Sequence, residues 1–137
     1  MGVPTFKEAK RFFRVAEQRF ADAEFLLSND RTTAAVYFAG NGVECMLKAV
    51  LLHLTPQKKH AETMASFVGE RGHNLRWLLH RCRLQGLKVS DPFRDAFLLT
   101  STWTTAFWYE PGIIPYKEAV QFLSKAKIAI EMLKARI

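Results

Sequence analysis

Hydrophobic residues recur at intervals of three and four along most of the chain, and no stretch shows the alternation typical of a strand. This spacing predicts five helices, over residues 5–27, 32–54, 74–86, 91–108 and 115–137. We expect the segment between the second and third helices to be irregular, apart from a short turn around residues 63–68. The pattern therefore predicts an all-α fold, a single-domain antiparallel bundle of four to five helices over residues 1–137.

The predicted helix ends follow from capping and stop signals. Thr5 with Glu8 three residues later fits a capping box at the start of the first helix. Pro56 stops the second helix, and Pro92 suits the first turn of the fourth. The second and fifth helices carry the most sustained apolar patterns, so we expect them to be the most buried.

The second helix contains an apolar stretch, AAVYFAGNGVECMLKAVLLH at residues 34–53, with one acid, Glu44, and one base, Lys48. Its length approaches the roughly 20 residues that a membrane span needs. Asn41, Glu44 and Lys48 interrupt it, so a buried helix of a soluble bundle is the better interpretation. Residues four apart share a helix face, and we expect Glu44 and Lys48 to pair.

Composition limits the classes of function. The 137 residues are 49% hydrophobic, enough for a substantial core, and the net charge of +7 permits but does not require a polyanionic partner. Cys45 and Cys82 are too few for a disulfide framework, and no Cys or His spacing suits a metal, so we expect reduced thiols and no cofactor. The charged N-terminus is unlike a signal peptide, which favours a cytoplasmic protein. His53 and His60 are interpreted as surface residues.

Basic residues dominate the third predicted helix. Arg76, His80 and Arg83 lie at i, i+4 and i+7, which places them in one row on the helix surface. This row is a candidate face for an anion or an RNA backbone. A solvated basic face gives the same pattern and is the commoner case. His73, just before the helix, is interpreted as structural.

Aromatic residues cluster at the end of the fourth predicted helix. Trp103 and Phe107 continue an apolar spacing and are expected in the core. Trp108 and Tyr109 fall where the chain breaks, and they form a candidate partner interface. A base-stacking site is the alternative interpretation.

Three segments together resemble one known family. The first is Val43-Glu44 followed by Lys48 within the apolar helix, and the second is Gly72-His73-Asn74-Leu75. The third is the Tyr109-Glu110-Pro111 loop followed by Tyr116-Lys117-Glu118-Ala119 and a long helix. In order and spacing they resemble the HEPN family (higher eukaryotes and prokaryotes nucleotide-binding domains), over nearly the whole chain.

The resemblance implies a small four- or five-helix bundle, often a homodimer. Family members act as partners of small nucleotidyltransferases, often in toxin–antitoxin pairs, as nucleotide-binding modules, or as RNA-cleaving toxins. The ribonucleases carry Arg, four to six residues, then His, near the loop before the last helix. Here that region reads FWYEPGIIPYKEA, which contains neither Arg nor His, so no catalytic residue is assigned there.

Two functions remain open. The first is a noncatalytic HEPN-type binding or partner module, acting with a nucleotidyltransferase, a nucleotide or RNA, and without a membrane. The second is an RNA-cleaving toxin whose Arg/His site is displaced to the third helix, with Arg76 and His80 as candidates. The missing motif before the last helix favours the first.

Overall fold

Six α-helices and no strand are formed by residues 2–137, which the computed structural model describes apart from the side chain of Trp108. The helices are α1 Lys7–Ser28, α2 Thr32–Leu54, α3 His60–Ser66, α4 Leu75–Leu84, α5 Asp91–Thr100 and α6 Tyr116–Lys134. Short 3-10 turns occupy Gln57–Lys59, Glu70–His73 and Thr105–Tyr109. The predicted all-α bundle is confirmed.

The centre of the bundle is α2. It packs against α1, α4 and α6, and α5 completes the bundle by packing on α6. Sixteen residues of α2 and seven of α6 are buried, more than in any other helix. These are the second and fifth predicted helices, so the prediction that they are the most buried is confirmed. By length and composition α2 is apolar enough to cross a membrane, but 83% of its most apolar window is buried by the other helices. That is the environment of a core helix.

Two predicted helix ends are wrong. Thr5 forms no capping box, because α1 begins after Phe6 and no side chain caps it. The fourth predicted helix ends at Thr100 rather than near residue 108. The hydroxyls of Thr100, Ser101 and Thr102 bond back to carbonyls three or four residues earlier and compete with continued helix. The chain then turns, and Trp103 enters the core from outside any helix.

The segment between α2 and α4 is more ordered than predicted, because α3 forms within it. The first residue of α3, His60, was expected at the surface, and this prediction is wrong. His60 is buried, with Nε2 2.8 Å from the carbonyl oxygen of Thr55 and its ring edge-on to Phe6 at 4.5 Å. A buried histidine is tolerated here because its ring nitrogen has a backbone partner. His53 is half-buried.

Both cysteines are free and buried, as expected for reduced core thiols. Burial raises the pKa of Cys45 and of Cys82 to about 12. Each thiol is therefore neutral at physiological pH and unreactive, because the thiolate is the nucleophilic form.

Candidate functional site

The predicted pair of Glu44 and Lys48 is confirmed, and it lies inside the protein. Lys48 Nζ donates to Glu44 Oε2 at 2.8 Å, and both side chains are less than a tenth exposed. The ammonium group also lies over the rings of Phe12 and Phe67, 5.6 and 5.1 Å from their centroids. The buried positive charge is thus met by one carboxylate and two aromatic faces.

Glu44 has a second partner, which connects the core to the surface. Both of its carboxylate oxygens lie 3.2 Å from Nδ1 of His73, whose side chain is 46% exposed. A carboxylate that accepts from Nδ1 orients the ring and leaves Nε2 as the available nitrogen. Contact with a buried carboxylate agrees with the structural role expected for His73. The contact was hidden in the sequence because 29 residues separate the partners.

Each residue of the segment Gly72-His73-Asn74-Leu75 makes a different contact that suits its residue type. A Cβ on Gly72 would overlap the carbonyl oxygen of Phe67, so only glycine fits. His73 bonds to the buried carboxylate. The side-chain oxygen of Asn74 caps α4 by accepting from the backbone N–H three residues later at 2.9 Å, and Leu75 is buried.

A cleft of about 360 Å³ opens beside His73, between the start of α4 and the segment that follows α5. His73 and Arg76 line one side, with the carboxyl group of Glu70 nearby. The other side is lined by residues that are mainly hydroxyl-bearing: Ser101, Thr102, Trp103, Thr104 and Thr105. The hydroxyls of Ser101 and Thr102 already donate to helix carbonyls, which leaves those of Thr104 and Thr105 as donors. A guanidinium, an imidazole and these two hydroxyls around one cavity suit a ligand with anionic oxygens.

Trp103 fixes the position of the hydroxyl-bearing wall. It is 2% exposed, as predicted for a core residue, and packs directly on Gly40 in α2. A Cβ at Gly40 would overlap the indole ring, so this mid-helix glycine allows the close approach. Tyr37 packs beside the indole with a centroid distance of 5.6 Å. Burial, with smaller effects of Glu44 and Tyr109, raises the pKa of Tyr37, so this phenol stays neutral at pH 7.

The predicted basic row exists as a surface feature. Arg76, His80 and Arg83 are all exposed on the outer side of α4, whose inner side buries Leu75, Leu78 and Cys82. Within residues 2–137, these three side chains form no ion pair or hydrogen bond. Only Arg76 also lines the cleft, so the cleft brings Arg76 together with His73 rather than with His80.

The two candidate interface residues have different outcomes. Tyr109 is 84% exposed at the end of the last 3-10 turn. The side chain of Trp108 lies outside the described residues. Phe107, expected in the core, is partly buried and packs against it.

No group of three His, Cys, Asp or Glu side chains within the described residues is arranged to hold a metal ion.

The chain was compared with known protein families, and the sequence model of the HEPN domain family matches residues 9–136. No curated protein and no solved structure matches the chain.

Proposed function

Because the chain belongs to the HEPN domain family, we propose that it is a noncatalytic binding module that holds an anionic ligand, a nucleotide or RNA, on α4. One observation supports this most directly. Arg76 is exposed in the same row as His80 and Arg83 and also lines the cleft with His73. A ligand seated at Arg76 therefore has the basic row of α4 nearby and the hydroxyls of Thr104 and Thr105 across the cleft.

The charge distribution favours a phosphate ligand. No Asp or Glu occurs between Leu75 and Leu84, so α4 offers cations without internal neutralisation. A guanidinium group binds two phosphate oxygens at once, and the hydroxyls of Thr104 and Thr105 add neutral donors. Glu70 at the cleft repels anions, so we place the phosphate toward Arg76 and the hydroxyl-bearing wall.

We extend the proposal to partners. On the basis of the family, we propose a small nucleotidyltransferase as the partner. The two proteins would form a toxin–antitoxin-like pair in the cytoplasm. Self-association as a two-fold dimer is proposed on the same basis, with exposed Tyr109 as an aromatic contact. Light scattering that detects only monomer at micromolar concentration would contradict the dimer.

Binding to RNA tests the proposal. We expect wild-type protein to bind short single-stranded RNA in a fluorescence anisotropy titration, with affinity falling as salt rises. Replacing Arg76 and Arg83 together with alanine removes two phosphate contacts. The slope of log affinity against log salt should then become shallower by about 1.4, the effect of two contacts on a single strand.

A matched control distinguishes the effect of the proposed site on RNA binding from the effect of net charge. Lys117→Ala with Lys127→Ala removes the same charge from exposed positions on α6. This variant should bind RNA almost as wild type does. Equal losses in the two double variants would show that net charge alone attracts RNA, and the proposed site would be wrong.

A second candidate function, RNA cleavage, is favoured by the contact between His73 and Glu44. An imidazole oriented by a buried carboxylate is suited to take a proton from a ribose 2′-hydroxyl, and Arg76 at the same cleft can hold the phosphate. This candidate moves the displaced site from His80 to His73. We rank it second because no other imidazole among the described cleft residues is placed to protonate the leaving oxygen. It requires cleavage that disappears in His73→Ala.

A further inference from the structure

We infer that the ligand of α4 is single-stranded nucleic acid and that one of its unpaired bases stacks on Trp77. This inference rests on the proposed function and names the ligand of the same surface. It comes from the side chains around Trp77, a half-buried residue that the basic row does not include.

Trp77 lies near two guanidinium groups that differ in freedom. The central carbon of Arg81 is 5.0 Å from the ring centroid of Trp77, and Arg81 Nη1 donates to Ser66 Oγ at 2.8 Å. The central guanidinium carbon of Arg71 is 5.9 Å from the same ring centroid. Arg71 is exposed and forms no hydrogen bond or ion pair in the part of the chain that the structure describes. One cation is thus held in place, and the other is free to move.

The aromatic ring continues the basic surface. Successive helical residues are turned by about 100°, so the row of Trp77 and Arg81 runs beside the row of Arg76, His80 and Arg83. With a rise of about 1.5 Å per residue, Arg76 to Arg83 extends about 10 Å, enough for two or three successive phosphates. The outer side of α4 therefore presents the basic row with the indole ring of Trp77 next to it.

The indole ring of Trp77 favours unpaired bases over the other polyanions. A duplex covers both faces of each base, so only a single strand can stack a base on a side chain. An acidic peptide would use the cations but gain nothing from the indole ring. A cationic groove beside an aromatic ring is the general arrangement for binding single strands. We expect the base to displace Arg71 rather than Arg81 from the ring, because Arg81 is closer to the ring and is held there by Ser66.

Tryptophan fluorescence tests the stacking directly. A short oligouridylate should quench the fluorescence of the wild-type chain and of Trp108→Phe, and the quench should vanish in Trp77→Phe. Trp103 is 2% exposed, so its ring offers no face on which a base could stack. Inorganic polyphosphate, which has charge but no bases, should bind without quenching. Trp77→Leu should weaken oligouridylate binding by about tenfold, the order expected for one stacked base, and should weaken polyphosphate binding clearly less, because polyphosphate has no base to stack.

Each other outcome is decisive. If the Arg76 and Arg83 variant loses RNA binding while Trp77→Phe keeps the quench, the proposed function stands and the stacking is wrong. If neither oligouridylate nor polyphosphate binds to correctly folded protein, both proposals fail. If a poly-glutamate peptide binds more tightly than oligouridylate, the partner is an acidic protein and the inference is overturned. Circular dichroism of every variant verifies that it is folded.

Discussion

Replacing Glu44 with leucine should lower the free energy of unfolding by about 3–5 kcal/mol. The substitution leaves the Lys48 ammonium buried, with the faces of Phe12 and Phe67 as its remaining partners. Cation–π contacts contribute about 2 kcal/mol at most when desolvated, too little to replace the carboxylate. Urea unfolding followed by circular dichroism measures the loss, and thermal melting should show a decrease of about 10–15 °C.

The matched control removes both charges. Glu44→Leu with Lys48→Met replaces a buried ion pair by apolar groups, which is often neutral or stabilising. We expect the double variant to be clearly more stable than Glu44→Leu alone, although both lose the contact with His73. A double variant as unstable as the single one would show that the cost comes from repacking or from His73 rather than from an unpaired charge.

Gly72→Ala should lower the free energy of unfolding by about 2–4 kcal/mol, the range of strongly destabilising substitutions. Where space allows, alanine in place of glycine stabilises by up to about 1 kcal/mol. Here the added Cβ overlaps the carbonyl oxygen of Phe67, so two backbone segments have to separate. His73 follows directly and should be displaced from Glu44. Urea unfolding and the imidazole resonances of His73 in NMR measure the two effects.

Asn74→Ala provides the comparison for Gly72→Ala. It removes the cap of α4 without adding an overlapping atom, and loss of a cap costs about 1 kcal/mol. His73 should keep its contact with Glu44 in this variant. If the two variants were equally stable, the close approach of Gly72 to Phe67 would be of no consequence for the fold.

Sequence alone predicted the features that depend on local geometry. Glu44 and Lys48 are one helical turn apart, so their pairing followed from spacing. The exposed row on α4 was predicted for the same reason, because helical periodicity separates its basic side from its buried side. The contact of His73 with Glu44 joins distant segments, and no local pattern contains it.

Two further features were missed, at least in part because they depend on packing between separate segments. The helix over residues 91–108 was predicted too long, because three hydroxyl side chains compete for its last carbonyls and Trp103 fits against Gly40. The surroundings of Trp77 were also missed. Arg71 lies outside α4, and Arg81 is held by Ser66 from another helix. Such sites form only when separate segments pack together.

The most direct test of the central claim, that α4 binds RNA without cleaving it, is incubation of the purified chain with end-labelled unstructured RNA in EDTA. Native and denaturing gels are run on the same samples. We predict a shifted complex on the native gel and full-length RNA on the denaturing gel, with His73→Ala and His80→Ala behaving as wild type in the second. RNA fragments that disappear in His73→Ala but persist in His80→Ala would contradict the claim and establish the cleft as a ribonuclease site.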